Sequence, residues 1–126
     1  MQYRNILLID DDAEDHEIFK TALSYVSDQL QCESYTNARE ALEKLERKEL
    51  SPDVIFLDLN MPLMSGQEFL MEVKKKAEIQ DIPVIIFSTS SNPTTIKLTK
   101  EMGAINFITK PDRFDTLVNI LKPIIN

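Results

Sequence analysis

At 126 residues the chain is long enough for one domain with its own core and too short for a second, so any effector domain is expected on a separate chain. Twenty-one acids against fourteen lysines and arginines leave a net charge of -7, which repels phosphate backbones and argues against a nucleic-acid partner. No apolar run exceeds five residues, Met1-Gln2-Tyr3-Arg4 does not begin a secretory signal, and the single Cys32 can form no internal disulfide or thiolate zinc site. The expected setting is cytoplasmic with no membrane partner, and Cys32 reads as a small buried hydrophobe.

Ile6-Leu7-Leu8-Ile9 is apolar without alternation, the pattern of a strand buried on both faces, and it runs straight into Asp10-Asp11-Asp12. Asp12 can cap a helix whose first turn holds Glu14 and Asp15, with Ile18, Phe19, Ala22, Leu23 and Val26 as its buried face. His16, beside Asp15 and Glu17, is assigned no chemical role. A short second strand spans Cys32 to Tyr35. Asn37 then opens a helix that carries Ala38, Ala41, Leu42 and Leu45 on one face and a Glu40–Lys44 pair on another, until Ser51-Pro52 breaks it.

Val54-Ile55-Phe56-Leu57 repeats the logic of the first strand and ends in Asp58. Pro62 stops the ladder, and Ser65-Gly66-Gln67-Glu68 has the form of a capping box for a helix with Phe69, Leu70 and Val73 inside. Val84-Ile85-Ile86-Phe87 is the next buried strand, and it ends in the hydroxyls of Ser88-Thr89-Ser90-Ser91. Asn92-Pro93 starts a helix from Thr94 to Met102 whose only large apolar groups are Ile96, Leu98 and Met102, which makes it the loosest expected element. Gly103 ends it. Asn106 to Thr109 forms a fifth strand with Lys110-Pro111 at its tip, and Phe114, Leu117, Val118 and Leu121 mark a last helix before Pro123.

Five strand–helix repeats joined by right-handed crossovers predict an α/β, flavodoxin-like, doubly wound (βα)5 fold: one parallel sheet of order 2-1-3-4-5 with helices on both faces. In that order Asp10, Asp11 and Asp58 converge where the winding reverses. Carboxylates so placed repel one another, so either some take up protons or a cation sits among them. Oxygen ligands favour Mg2+, which keeps waters and leaves positions for a phosphoryl oxygen. Asp58 can then serve as a carboxylate nucleophile that accepts a phosphoryl group, with Lys110 adding positive charge and Ser88 a hydroxyl donor. Taken singly, Asp12 reads as a helix cap, Ser88 as a turn hydroxyl and Lys110 as a solvated surface group; the weight comes from their shared sheet edge.

Ile9-Asp10-Asp11, Asp58-Leu59-Asn60-Met61-Pro62, Gly66, Ser88 and Lys110-Pro111, in this order, resemble the receiver domain of response regulators in two-component signalling, over essentially the whole chain. The resemblance implies a single stand-alone, chemotaxis-regulator-like receiver over residues 1–126 with no output domain. It would be no enzyme beyond its own phosphorylation and dephosphorylation. It implies that Asp58 takes phosphate from a histidine kinase or histidine phosphotransfer protein. Mg2+ would be held by the side chains of Asp11 and Asp58, the backbone carbonyl of Asn60 and, through water, Asp10. Lys110 would bridge to the phosphoryl group, with Lys110-Pro111 as a cis peptide. Ser88 and Phe107 would form the switch pair, and the helix from Thr94 to Met102 would be the mobile element. The surface of the fourth helix, fifth strand and fifth helix, around Ile96, Phe107 and Arg113, would meet a downstream protein partner.

Three positions depart from the common pattern. Phe107 lacks the hydroxyl of the tyrosine many members carry, Thr89 is bulkier than the small residue usual beside the switch hydroxyl, and Asn60 and Ser90 are both uncharged. A phosphatase of the haloacid dehalogenase type would want an acid where Asn60 stands, a flavodoxin would want hydroxyls in place of Asp10-Asp11-Asp12, and Gly66 and Gly103 are too few for a P-loop. The remaining alternative is a non-phosphorylated interaction scaffold that kept the fold.

Overall fold

Strands that are apolar on both faces are stable only inside a sheet that is covered on both sides, and the chain supplies that cover by alternating strands with amphipathic helices. A computed structural model describes residues 2–126; Met1, the first residue of the expected domain, lies outside the described residues. The strands are β1 (Asn5–Ile9), β2 (Gln31–Tyr35), β3 (Val54–Leu57), β4 (Val84–Ser88) and β5 (Asn106–Thr109). The helices are α1 (Ala13–Val26), α2 (Ala38–Glu46), α3 (Gly66–Lys75), α4 (Pro93–Glu101) and α5 (Phe114–Ile125). All strand pairs are parallel, in the order β2-β1-β3-β4-β5, as the alternation predicts.

Side chains alternate across the sheet, so each buried strand feeds two cores. Leu7, Ile9, Ile55, Leu57, Val84 and Ile86 face α2 and α3, where Leu42, Leu45, Phe69, Leu70 and Val73 close the layer. Ile6, Leu8, Phe56, Ile85 and Phe87 face α1 and α5. There Phe19 meets Phe56 edge-on at 5.0 Å between centroids and Phe87 at 5.5 Å, so aromatic packing ties α1 to the middle of the sheet. The expected caps form: Asp12 accepts from the Glu14 N–H, Asn37 from Glu40, and Ser65 and Glu68 make a reciprocal capping box.

The structure departs from the sequence pattern where packing overrides local rules. On α1, Ile18 is exposed and Val26 half-buried, while His16 is buried with Phe19, Ala22 and Leu23. Residues 16, 19 and 23 fall on one helical face, and Ile18 lies off it. On α4 only Thr99 is fully buried and Leu98 is exposed, so this helix is even less anchored than its three apolar residues suggested. Lys44 turns away from Glu40 to donate to the Tyr35 hydroxyl at 3.3 Å and lie over its ring. Cys32 is half-buried beside the α1–α5 core. Pro123 does not end α5. It withdraws one N–H from the last turn, where only the exposed Asn119 carbonyl loses a partner, while fully buried Ile125 and its carbonyl, which accepts from Gln2, hold the turn in place.

Candidate functional site

Because every strand is parallel, all their C-terminal ends share one edge of the sheet. Ile9 is in register with Leu57, so the next residues, Asp10 and Asp58, leave the sheet side by side, and the Asp58 N–H donates to the Ile9 carbonyl at 2.9 Å. Ser88 pairs with Thr109 at the ends of β4 and β5, and the Lys110 N–H donates to the Ser88 carbonyl at 2.8 Å. Carboxylate oxygens of Asp10, Asp11 and Asp58 all lie within 4.8 Å of one another. The Lys110 ammonium reaches into this group, 2.6 Å from Asp10 Oδ2, 2.8 Å from Asp15 Oδ2 and 3.6 Å from Asp58 Oδ2. Gly66 lets the start of α3 approach: its N–H donates to Leu59 at 3.0 Å, and a Cβ there would lie 2.3 Å from the Asp58 carbonyl oxygen.

The cluster is short of positive charge. Burial raises the Asp10 carboxyl above its ordinary pKa even though Lys110 and the Asp12 N–H both stabilise its ionised form. Burial alone would lower the Lys110 ammonium, but hydrogen bonds to Asp10 and Asp15 outweigh it and raise the pKa. One ammonium thus serves Asp10, Asp15 and the neighbouring Asp58, while Asp11 is exposed at the rim. Clustered hard oxygen donors that remain undercompensated suit a small divalent cation such as Mg2+.

A family model described as the response regulator receiver domain matches residues 6–122. The chain belongs to this family. As a receiver domain of two-component signalling it is 40% identical over 114 residues to a protein-glutamate methylesterase/protein-glutamine glutaminase of Treponema denticola, covering 88% of this chain and 29% of that protein. It is 32% identical over 109 residues to the two-component response regulator ORR3 of Oryza sativa, covering 86% of this chain and 81% of that one. Among solved structures, the phosphorylated cyanobacterial phytochrome response regulator RcpA superposes with a TM-score of 0.87 at 29% identity, over 97% of this chain and 91% of that one. The chain spans 29%, 14% and 50% of the lengths of the first three curated relatives it matches. Receiver domains bind Mg2+ at their acidic pocket, and the Asp10-Asp11-Asp58 group of this receiver fits that ion by its donors.

The other residues singled out by the receiver pattern lie on or just after β3, β4 and β5. Ser88 is fully buried and its hydroxyl accepts from the Ser90 N–H at 3.3 Å, while Thr89 is exposed. The Asn60 N–H lies 3.4 Å from Asp58 Oδ1. Phe107, beside Ile86 in the sheet, is half-buried and packs on the α2–α3 core. The Lys110–Pro111 bond, expected cis, is trans, as is every peptide bond among the described residues. Trans is the lower-energy isomer by about 0.5–1 kcal/mol, and the lysine reaches its carboxylates without the cis form.

Sequence reasoning passed over Asp15 and His16. Asp15 reads locally as a first-turn acid that complements the helix dipole, yet it is a direct partner of Lys110. His16 Nε2 donates to the Asp10 backbone carbonyl at 2.6 Å and so pins the loop that carries the acids. Its spacing to Phe19 and Leu23 was the available signal, since it places the ring on the buried face.

Proposed function

We propose that Asp58 accepts a phosphoryl group from a histidine kinase or histidine phosphotransfer protein, and that the modified receiver regulates a separate protein or passes the phosphate on. The observation that carries this reading is the approach of the Lys110 ammonium to within 3.6 Å of an Asp58 carboxylate at the shared strand edge, beside Asp10 and Asp11. In the transfer, the Asp58 oxygen forms a bond to phosphorus as the bond from phosphorus to the donor imidazole breaks, and that nitrogen takes up a proton. Asp11 and Asp58 side chains, the Asn60 carbonyl and, through water, Asp10 would hold Mg2+, which supplies charge against the phosphoryl oxygens when bound. Lys110 supplies a further positive charge from the end of β5. The Ser88 hydroxyl turns from the Ser90 N–H to a phosphoryl oxygen, and Phe107 moves into the space this opens.

The lightly anchored α4, with β5 and α5, then carries the change to a partner surface around Ile96, Phe107 and Arg113. The receiver acts as a cytoplasmic switch with no catalysis beyond its own phosphorylation and dephosphorylation. Among the described residues no helix is long and apolar enough to cross a membrane. Incubation with acetyl phosphate and Mg2+ followed by intact mass tests the acceptor: one phosphoryl is expected on wild type and none on Asp58→Asn. Hydrogen exchange with and without beryllofluoride tests the switch. A pattern over residues 88–109 that does not change would leave a constitutive scaffold as the function.

A further inference from the structure

We propose that Asp15 is the exchangeable counter-charge of Lys110: while Asp58 is unmodified the ammonium is shared between Asp10 and Asp15, and a phosphoryl group on Asp58 takes the place of Asp15. This rests on the reading of Asp58 as the acceptor. An ammonium has three N–H donors. Two are committed, to Asp10 at 2.6 Å and Asp15 at 2.8 Å, and the 3.6 Å to Asp58 is too long for a hydrogen bond. The third N–H is free, but closing the 3.6 Å to Asp58 shifts the ammonium, and that shift stretches one of its two short bonds.

Burial decides which. The Asp10 side chain is fully buried and fixed from the other side, where its Oδ1 accepts from the Asp12 N–H at 3.0 Å, so losing Lys110 would strand a buried carboxylate. The Asp15 side chain is 33% exposed, and water can replace the lysine there. Asp15 therefore gives way. It also stands in the first turn of α1, so the exchange releases α1 from the tip of β5 each time Asp58 is modified. Asp15 is a positioning residue acting through Lys110, and it competes with the phosphoryl group for that charge.

Beryllofluoride binding in the presence of Mg2+, measured by calorimetry, tests the exchange. Asp15→Asn should bind at least about fivefold more tightly than wild type, the lower end of ordinary coupling between sites. Asp15→Ser should do the same. In a Lys110→Ala background, Asp15→Asn should change nothing, because the competition runs through the lysine. Equal or weaker binding by both Asp15 variants, or the same gain without Lys110, overturns the inference. A metal-free readout accompanies it: in urea unfolding with chelator, Lys110→Ala should cost less stability when Asp15 is already Asn, and additive effects overturn the pairing. Wild type that binds no beryllofluoride overturns the acceptor reading itself, whereas binding without a gain from the Asp15 variants overturns this inference alone.

Discussion

Replacing Gly66 with alanine adds one methyl group at the point where α3 meets the tip of β3. That methyl would lie 2.3 Å from the Asp58 carbonyl oxygen, 2.7 Å from Leu59 Cα and 2.9 Å from Leu59 Cδ2. Two of the three are backbone atoms, which cannot swing aside. Since unbonded heavy atoms settle at about 3.5–4.0 Å, the start of the helix must retreat by about 1 Å. The retreat stretches the 3.0 Å bond from the Gly66 N–H to Leu59 and unseats the fully buried Phe69 and Leu70 one turn on. Overpacking of this kind costs about 1–3 kcal/mol and the hydrogen bond about 1 kcal/mol more, against at most about 1 kcal/mol gained in helix propensity. The net loss is about 1–3 kcal/mol, or about 0.5–2 M in the urea midpoint followed by circular dichroism. Phosphoryl labelling of Asp58 should slow as well, because the displaced carbonyl belongs to the acceptor. Gly103→Ala is the control: its methyl meets only the flexible Lys74 side chain, and although its φ of 112° strains the alanine, labelling should stay at the wild-type rate. A Gly66→Ala protein with an unchanged midpoint would show that α3 does not sit against Asp58 as described.

Asp53 Oδ2 accepts from the N–H groups of Arg4 and Asn5 at 2.9 and 2.8 Å, fastening the start of β1 to β3, so Asp53→Ala should lower stability by about 1–2 kcal/mol in urea unfolding. Leu63, 95% exposed with a φ of 68°, holds a left-handed backbone that suits glycine; Leu63→Gly should raise stability by about 0.5–1 kcal/mol after the entropy cost of glycine, and a loss in thermal unfolding would refute it. Burial pushes the Cys32 thiol up to about 11. A raised thiol pKa depletes the thiolate, so at pH 8 the native protein should react with a disulfide reagent about 100-fold more slowly than the urea-unfolded chain. The same shift favours the unfolded state as pH rises from 9.0 to about 11, and Cys32→Val should flatten that part of the stability profile.

The amino-acid sequence by itself determined the strands, their parallel arrangement and the edge on which the acids gather. Unbroken apolar runs such as Val54 to Leu57 have one stable environment, and a residue directly after such a run emerges at the end of its strand. Asp12, Asn37 and Ser65 were legible as caps for a similar reason, since a cap is satisfied within its own turn. Only the tertiary structure decided which groups share Lys110, because Asp10 and Asp15 lie 100 and 95 residues away from it and no local period encodes that pairing. It also decided that His16 is buried and Ile18 exposed, that Pro123 stays within α5, and that the bond before Pro111 is trans. Each of these is settled by what stands opposite a residue once the chain has crossed over itself, and local pattern carries no record of that neighbour.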